Sequence, residues 1–494
     1  MAHIEFIDTT LRDGQQCHWG MRMQAGQALP ATPLIDKVGY EVVDIGGSSQ
    51  FEVLIRYCQE DPWEGLDLMV ASMPNSRFRA GMRTNAAVTF SVSPDSIMDL
   101  WMRRLCAHGM DTVWIYDVLL ANADKAHRLA RVAKETDAMV VIALFYADSP
   151  VHTDAFYAER TKLYAASPDV DRFLIYDASG VLTPERARTL IPGIQAAAGG
   201  RTIELICHNS IGIASHTYLA AVELGIDRFH TCNRPLSDGP APPSVDTMAR
   251  NMEAAGHSHG LDLSHCPAIE ENFRAVAKAM GYAVGVPQEY DLFYAQHQVP
   301  GGMTGTFKNQ LAQHGMPEKY GDVLRETAVV RRELGYPGMA TPFSQLVGTL
   351  AVLNVVTGKR YSVIPDEVIQ YAAGLYGEPV GEIKPDILDR IMSAPRAKQV
   401  ANTPPPQPTL EELRKELGAD LSDDELFLRA LVPESDIEKM RAAGPTRRDF
   451  STLSSPELET VASLIRMVDT NYLRYEDQET SLTLRRHRRV AISA

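Results

Sequence analysis

Eight short runs rich in β-branched and aromatic residues recur through the first half of this chain, each followed by a stretch with helical periodicity. They are Ile4–Thr10, Val42–Gly46, Phe78–Arg83, Thr112–Asp117, Val140–Tyr146, Arg172–Asp177, Thr202–Asn209 and Arg228–Asn233. Amphipathic segments between them include Ser93–His108, Ala123–Lys134, Pro184–Ala198 and Ile213–Leu224. Parallel strands need a crossover between them, so strand alternating with helix predicts a parallel sheet. Eight such units, about thirty residues apart, predict closure into a (β/α)8 TIM barrel near residue 235.

In such barrels the C-terminal ends of the strands carry the chemistry. Those ends hold Asp13, Asp44 with Gly46-Gly47, Arg83, Asp117, Tyr146, Tyr176-Asp177, His208 and the pair His230/Cys232, whereas the N-terminal ends show no such enrichment. This asymmetry predicts an enzyme. The first end is the most informative. An apolar strand runs into Arg12-Asp13-Gly14-Gln15-Gln16, where a carboxylate can hold a cation and a guanidinium an anionic oxygen.

The 494 residues are 45% hydrophobic and 22% charged, as expected of a globular protein. A net charge of −15 disfavours nucleic acid and anionic membranes as partners. Six cysteines lack paired spacing, no apolar run is long enough to span a bilayer, and the first strand leaves no room for a leader; together these predict a reducing, cytoplasmic setting.

Three regions are expected. Residues 1–260 form the barrel. Residues 261–400 form a mainly helical domain that completes the site, with helices over Ile269–Met280, Lys308–His314, Tyr320–Leu334, Phe343–Thr357, Pro365–Tyr376 and Pro385–Met392. Residues 401–494 form a proline-rich linker (Ala401–Pro408) and a charged, helix-prone tail without a core of its own, ending in a solvated basic run at 484–489.

Taken in order, several motifs resemble the carboxyltransferase family of biotin-dependent enzymes. They are Asp8–Gln16 with Arg22-Met23, Gly46-Gly47 followed by Glu60–Glu64, Met73-Pro74-Asn75 leading to Arg83, and Ser149–Thr153. Tyr176–Gly180, Pro300–Met303, Gly335-Tyr336-Pro337, Thr341-Pro342 and Val347-Gly348 continue the series. The resemblance is to the keto-acid subunit of transcarboxylase, the α subunit of oxaloacetate decarboxylase and the carboxyltransferase domain of pyruvate carboxylase.

The resemblance implies a divalent metal (Zn, Co, Mn or Mg) held by an Asp, a carbamylated Lys and two His of a His-x-His pair. The Asp matches Asp13 and the second His matches His208, but Tyr176 stands at the Lys and Ile206 at the first His. The groups that hold the keto acid match Arg83, Gln16 and Arg12. The proton-shuttling hydroxyl falls on Gly305, flanked by Thr304 and Thr306, and Thr304 is the candidate substitute.

Two roles remain open for His230. It shares a strand face with Cys232, and if it points inward it completes a three-ligand site with Asp13 and His208; otherwise it is a hydrogen-bonded core residue. Tyr176 either fills the volume of the missing lysine or acts as an acid or base through a lowered phenol pKa. Asp177 either orients its neighbours or reacts. Cys17 and Cys207 adjoin site residues, but Cys207 should face away from His208.

Three functions follow. The first is carboxyl transfer to, or decarboxylation of, a 2-oxo acid of the pyruvate/oxaloacetate type through an enolate. Its carboxybiotin would sit on a separate biotin carrier, served by a biotin carboxylase chain, since no Ala-Met-Lys-Met motif is present. The second is a biotin-independent C–C lyase on another carboxylate substrate, with a rebuilt metal site. The third is a non-catalytic subunit. A homodimer is expected.

Overall fold

The computed structural model describes residues 1–450 apart from Phe90 and Pro404, together with the strands Tyr472–Glu476 and Ser481–Arg485. The eight expected runs form β1 (His3–Asp8), β2 (Val42–Gly47), β3 (Phe78–Arg83), β4 (Thr112–Tyr116), β5 (Met139–Phe145), β6 (Arg172–Asp177), β7 (Thr202–Cys207) and β8 (Arg228–Thr231). All pair in parallel in chain order, and β8 returns to β1 with Phe6 opposite Phe229 and Ile7 opposite His230. The barrel is closed. A short strand at Ser258–His259 adds outside β1, which the sequence did not suggest.

Five runs, β1, β4, β5, β7 and β8, end one or two residues earlier than expected. Just past β7, His208 N–H donates to Asp177 O at the end of the neighbouring strand β6 at 3.0 Å, the last rung that carries this chain to the barrel mouth. Cys232 donates instead to Pro243 O, and Asp13 and Gly14 both donate to Thr9 O in a wide helical turn over Thr10–Gly14. Each strand end becomes a turn that aims its side chains at the mouth.

Strand alternation separates two cores. Val113, Ile115, Val140 and Ile142 pack outward against the surrounding helices. Trp114, Tyr116, Phe145, Tyr176 and Ile206 face the interior and join a second cluster that continues into Val299, Met303, Phe307 and Phe343. Those last residues belong to the helical region, where Gly301–Gln313, Tyr320–Glu333 and Phe343–Thr357 pack together. The region is clamped to the barrel loops by Gln298, whose amide donates to Asp148 O at 2.7 Å, and by Arg331, which donates to the same oxygen at 3.0 Å. The helix begins at Gly301 rather than at Lys308, because Pro300 and Gly301 start it seven residues earlier.

Beyond the linker, helices Leu410–Leu417, Asp423–Leu431 and Glu434–Ala442 lie against the barrel's outer layer. They have no separate core: Leu413, Leu426, Phe427 and Ile437 enter the barrel's own. Phe427 stacks on Trp101 with ring centroids 5.7 Å apart and meets Trp63 edge-on. Arg104 clamps Asp424 at 2.6 Å. The linker is tied down as well, with Gln407 accepting from Asp95 N. Residues 486–489 of the basic run lie outside the described residues. Among those described, no helix is long and apolar enough to cross a membrane.

Candidate active site

At the barrel's C-terminal mouth lies a cavity of about 200 Å³. Its floor is Arg12, Gln16, Cys17, Tyr176 and His208; its aromatic wall is Tyr116 and Phe145; its roof is Pro300, Gly301, Met303 and the segment Met339–Gln345. Barrel and helical region both line it, so neither encloses it alone.

Asp13 organises the floor and is fully buried. Its Oδ2 accepts from the Tyr176 hydroxyl at 2.9 Å and from His208 Nε2 at 2.8 Å. Its Oδ1 pairs with Arg12 Nη1 at 3.1 Å, with the Cys17 thiol at 3.8 Å. Arg12 also donates to the Tyr176 oxygen at 3.3 Å, and that oxygen lies 3.4 Å from His208 Nε2. Burial alone would raise the Asp13 pKa, but the charges of His208 and Arg12 outweigh it and hold the carboxyl below its usual range. Burial, reinforced by Asp13, pushes the Tyr176 phenol well above its ordinary value, and the Cys17 thiol moves the same way for the same reasons.

Both directions favour the neutral form of the group. The Tyr176 hydroxyl donates to Asp13, and the upward direction runs against the acid–base alternative, which needs a lowered phenol pKa. Cys17 remains a thiol, so it is not an activated nucleophile. Cys207 faces away from His208 into the outer core, as alternation requires.

Arg12 is held by more than charge. Its guanidinium lies 4.7 Å above the centre of the Trp114 ring, and Trp114 Nε1 donates to Asp44 Oδ2 at 2.9 Å. The indole fits because β3 has Gly81 opposite; a Cβ there would come within 2.3 Å of the ring. Sequence reading missed Trp114, although it shares a strand face with Tyr116 by period two. His208 is set by a second close approach. Gly180, at φ +72°, brings the loop after β6 against His208 O, where a Cβ would sit 2.5 Å away. Asp177 fixes that loop by accepting from Gly180 N and Leu182 N at 2.8 and 2.6 Å. Asp177 therefore orients its neighbours, and Asp117 does the same for Leu119, Ala121 and Asn122.

Two expected site residues lie elsewhere. His230 does not join Asp13 and His208. Its Nε2 donates to Glu204 Oε2 at 3.1 Å, inside a buried network in which Glu204 also pairs with Arg79 at 2.7 Å. The register explains this: Leu205 opposite Phe229 puts His230 level with Ile206, two residues below His208, or about 7 Å down the barrel. Arg83, at the end of β3, is buried and donates to Ser49 Oγ at 3.0 Å; it is not part of the cavity wall. Gly305 is exposed on the roof helix, and the side chains of Thr304 and Thr306 lie outside the described residues.

The residues present do not fit the four-ligand metal centre. Asp13, Cys17 and His208 bring ligand atoms within 4.8 Å of one another. Of these only Asp13 is a carboxylate, and Arg12 already pairs with it at 3.1 Å. Ile206 cannot ligate, and Tyr176 is a neutral phenol bonded to Asp13.

Comparison with known proteins agrees with this architecture. Residues 3–272 match the HMGL-like family and residues 295–480 the conserved carboxylase domain. The chain is 31% identical over 447 residues to a pyruvate carboxylase subunit of Methanocaldococcus jannaschii, covering 89% of this chain and 78% of that one. It is 30% identical over 445 residues to the 2-oxoglutarate carboxylase large subunit of Hydrogenobacter thermophilus, covering 87% and 67%. The fold superimposes with a TM-score of 0.81 on the carboxyl transferase domain of Rhizobium etli pyruvate carboxylase with pyruvate and biocytin. That match is 20% identical and covers 98% of this chain and 84% of that one.

Proposed function

The chain belongs to the HMGL-like family and, with the relatives it matches, to the carboxyltransferases of biotin-dependent enzymes, and from that premise we propose that it moves a carboxyl group between biotin on a separate carrier chain and a small 2-oxo acid. The observation that carries this reading is the composition of the cavity. At about 200 Å³ it is smaller than a typical drug-sized site of roughly 300 Å³ or more. A permanent cation, an amide and an imidazole converge on its floor under a largely apolar roof.

In the carboxylating direction the bond from the biotin nitrogen to the carboxyl carbon breaks. A proton leaves C3 of the 2-oxo acid for that nitrogen, and a new carbon–carbon bond forms at C3. Charge develops on the oxo oxygen in between, so the site must present fixed positive potential there. Arg12 supplies it as a guanidinium that does not deprotonate. Gln16, whose side chain lines the cavity floor, is the proposed second contact to the acid. The proposed part of the largely apolar roof is to limit water at the enolate, which would protect it from protonation. Thr304 or Thr306, on the roof helix, is the proposed hydroxyl that relays the proton.

The test is decarboxylation of oxaloacetate by the purified chain, followed as pyruvate release with and without biotin or a biotinylated carrier protein. Pyruvate, 2-oxobutyrate and 2-oxoglutarate then serve as acceptors in the reverse direction. Biotin-dependent turnover of at least one acid is expected. Cleavage of a 2-oxo acid that ignores biotin throughout would replace this reading with the lyase alternative.

A further inference from the structure

Four positions define the metal centre that the family resemblance implies, and two of them carry other residues in this chain. Tyr176 and Ile206 are register partners on β6 and β7, so the changes sit side by side at one level of the barrel. Both side chains join the interior apolar cluster with Trp114 and Phe145. In place of an anionic oxygen and an imidazole, the site has a phenol and a branched hydrocarbon. The two groups that match the family's ligands, Asp13 and His208, bond directly to each other. His208 Nε2 and the Tyr176 hydroxyl both reach the same Asp13 oxygen, at 2.8 and 2.9 Å, and lie 3.4 Å apart. The other Asp13 oxygen is taken by Arg12 at 3.1 Å. The carboxylate that would ligate a metal therefore serves as the hub of a hydrogen-bonded cluster whose net charge is already balanced by a guanidinium. A divalent ion inserted there would bring two positive charges to buried groups that include one carboxylate, beside a guanidinium that does not deprotonate.

We propose that this site works without a divalent metal: Arg12, paired with Asp13 and lining the cavity, is the hydrogen-bond donor to the substrate oxygen, and Asp13 holds Arg12, Tyr176 and His208 in position instead of ligating an ion. This rests on the carboxyl-transfer reading for the identity of the substrate, but not for the absence of the ion. Trp114 follows as a positioning residue. It keeps the guanidinium over its ring and ties that geometry to Asp44, a constraint that a metal-centred site would not need.

The test reads metal directly, apart from turnover. Full-length protein is purified, incubated with zinc, manganese, cobalt or magnesium, desalted, and its metal content measured by mass spectrometry. Below about 0.1 ion per chain is expected, against about one for a resident site. Its melting temperature should be unchanged by these ions or by a chelator. In the variant Tyr176→Lys/Ile206→His, prepared in bicarbonate, metal content should rise toward about one ion per chain, because the missing ligands are restored. Stoichiometric metal in the native chain that is lost in Asp13→Asn would overturn the proposal, and its loss in Cys17→Ser as well would assign a rebuilt Asp–Cys–His centre. Biotin-independent cleavage with metal-free protein would remove the carboxyl-transfer reading and leave this inference standing.

Discussion

Glu204→Gln tests the reassignment of His230 from the site to the barrel interior. The carboxylate it removes is 1% exposed, pairs with Arg79 at 2.7 Å, accepts from His230 at 3.1 Å and lies 3.3 Å from Arg172. Burial by itself would raise the Glu204 pKa, yet the Arg79 charge and the His230 hydrogen bond hold the group below the usual carboxylate range. Glutamine keeps the shape and an oxygen for His230, but leaves Arg79 buried without its counter-charge. Among the described residues, Glu204 is the one carboxylate within ion-pair distance of Arg79. Breaking one side of a buried pair costs about 3–5 kcal/mol. At roughly 2 °C per kcal/mol for a large domain, the melting temperature at pH 7 should fall by at least about 6 °C. The sign with pH follows from the depressed pKa: the stabilisation is present above the unfolded value of about 4.3 and is lost as pH falls through the lower folded value. Wild type and variant should therefore differ fully at pH 7 and converge only below about pH 4. Arg79→Met/Glu204→Gln removes the stranded cation while filling its volume, and should recover half or more of the loss. A shift under about 2 °C at pH 7 would refute the argument, as would a double variant worse than the single.

Other outcomes follow from the same geometry. Phe427→Ala empties the contact with Trp101 and Trp63 and should cost about 3–5 kcal/mol, read as faster proteolysis within residues 400–450; unchanged cleavage would mean those helices do not depend on the barrel core. Asp44 is pushed up to about 7 by burial, against the pull of Arg12 and Arg79. Its protonated form therefore contributes stability that is complete below the unfolded value near 3.9 and lost as pH rises through about 7. Asp44→Asn should accordingly raise the melting temperature more at pH 8 than at pH 5, and equal shifts at both would count against that pKa. Arg83→Lys should change the KM for the 2-oxo acid by less than about threefold, because Arg83 is off the cavity wall; a tenfold loss, about 1.4 kcal/mol, would put its planar fork on the substrate carboxylate.

Much of the molecule was legible from one-dimensional pattern. Strand and helix follow from the local period of apolar residues, and eight repeats of the pair leave few topologies besides a closed parallel barrel. Asp13, Arg12, Gln16, Tyr176 and His208 were recognisable because chemistry in this fold collects at strand ends, and that is where the structure brings them together. Sequence could not tell which strand-end groups face the substrate and which hold loops. Asp117 and Asp177 look like Asp13 in sequence, yet their carboxylates are consumed by backbone donors of the following turn. Period two put His230 on one face with Cys232 but carried no information on which face points inward or on height, and height decided that it meets Glu204 rather than Asp13. The place of Trp114 under Arg12, the docking of Phe427 and the roof built from Met339–Gln345 are contacts between segments far apart in the chain. Such contacts depend on register, strand tilt and packing summed over the whole barrel, so only the tertiary structure could decide them.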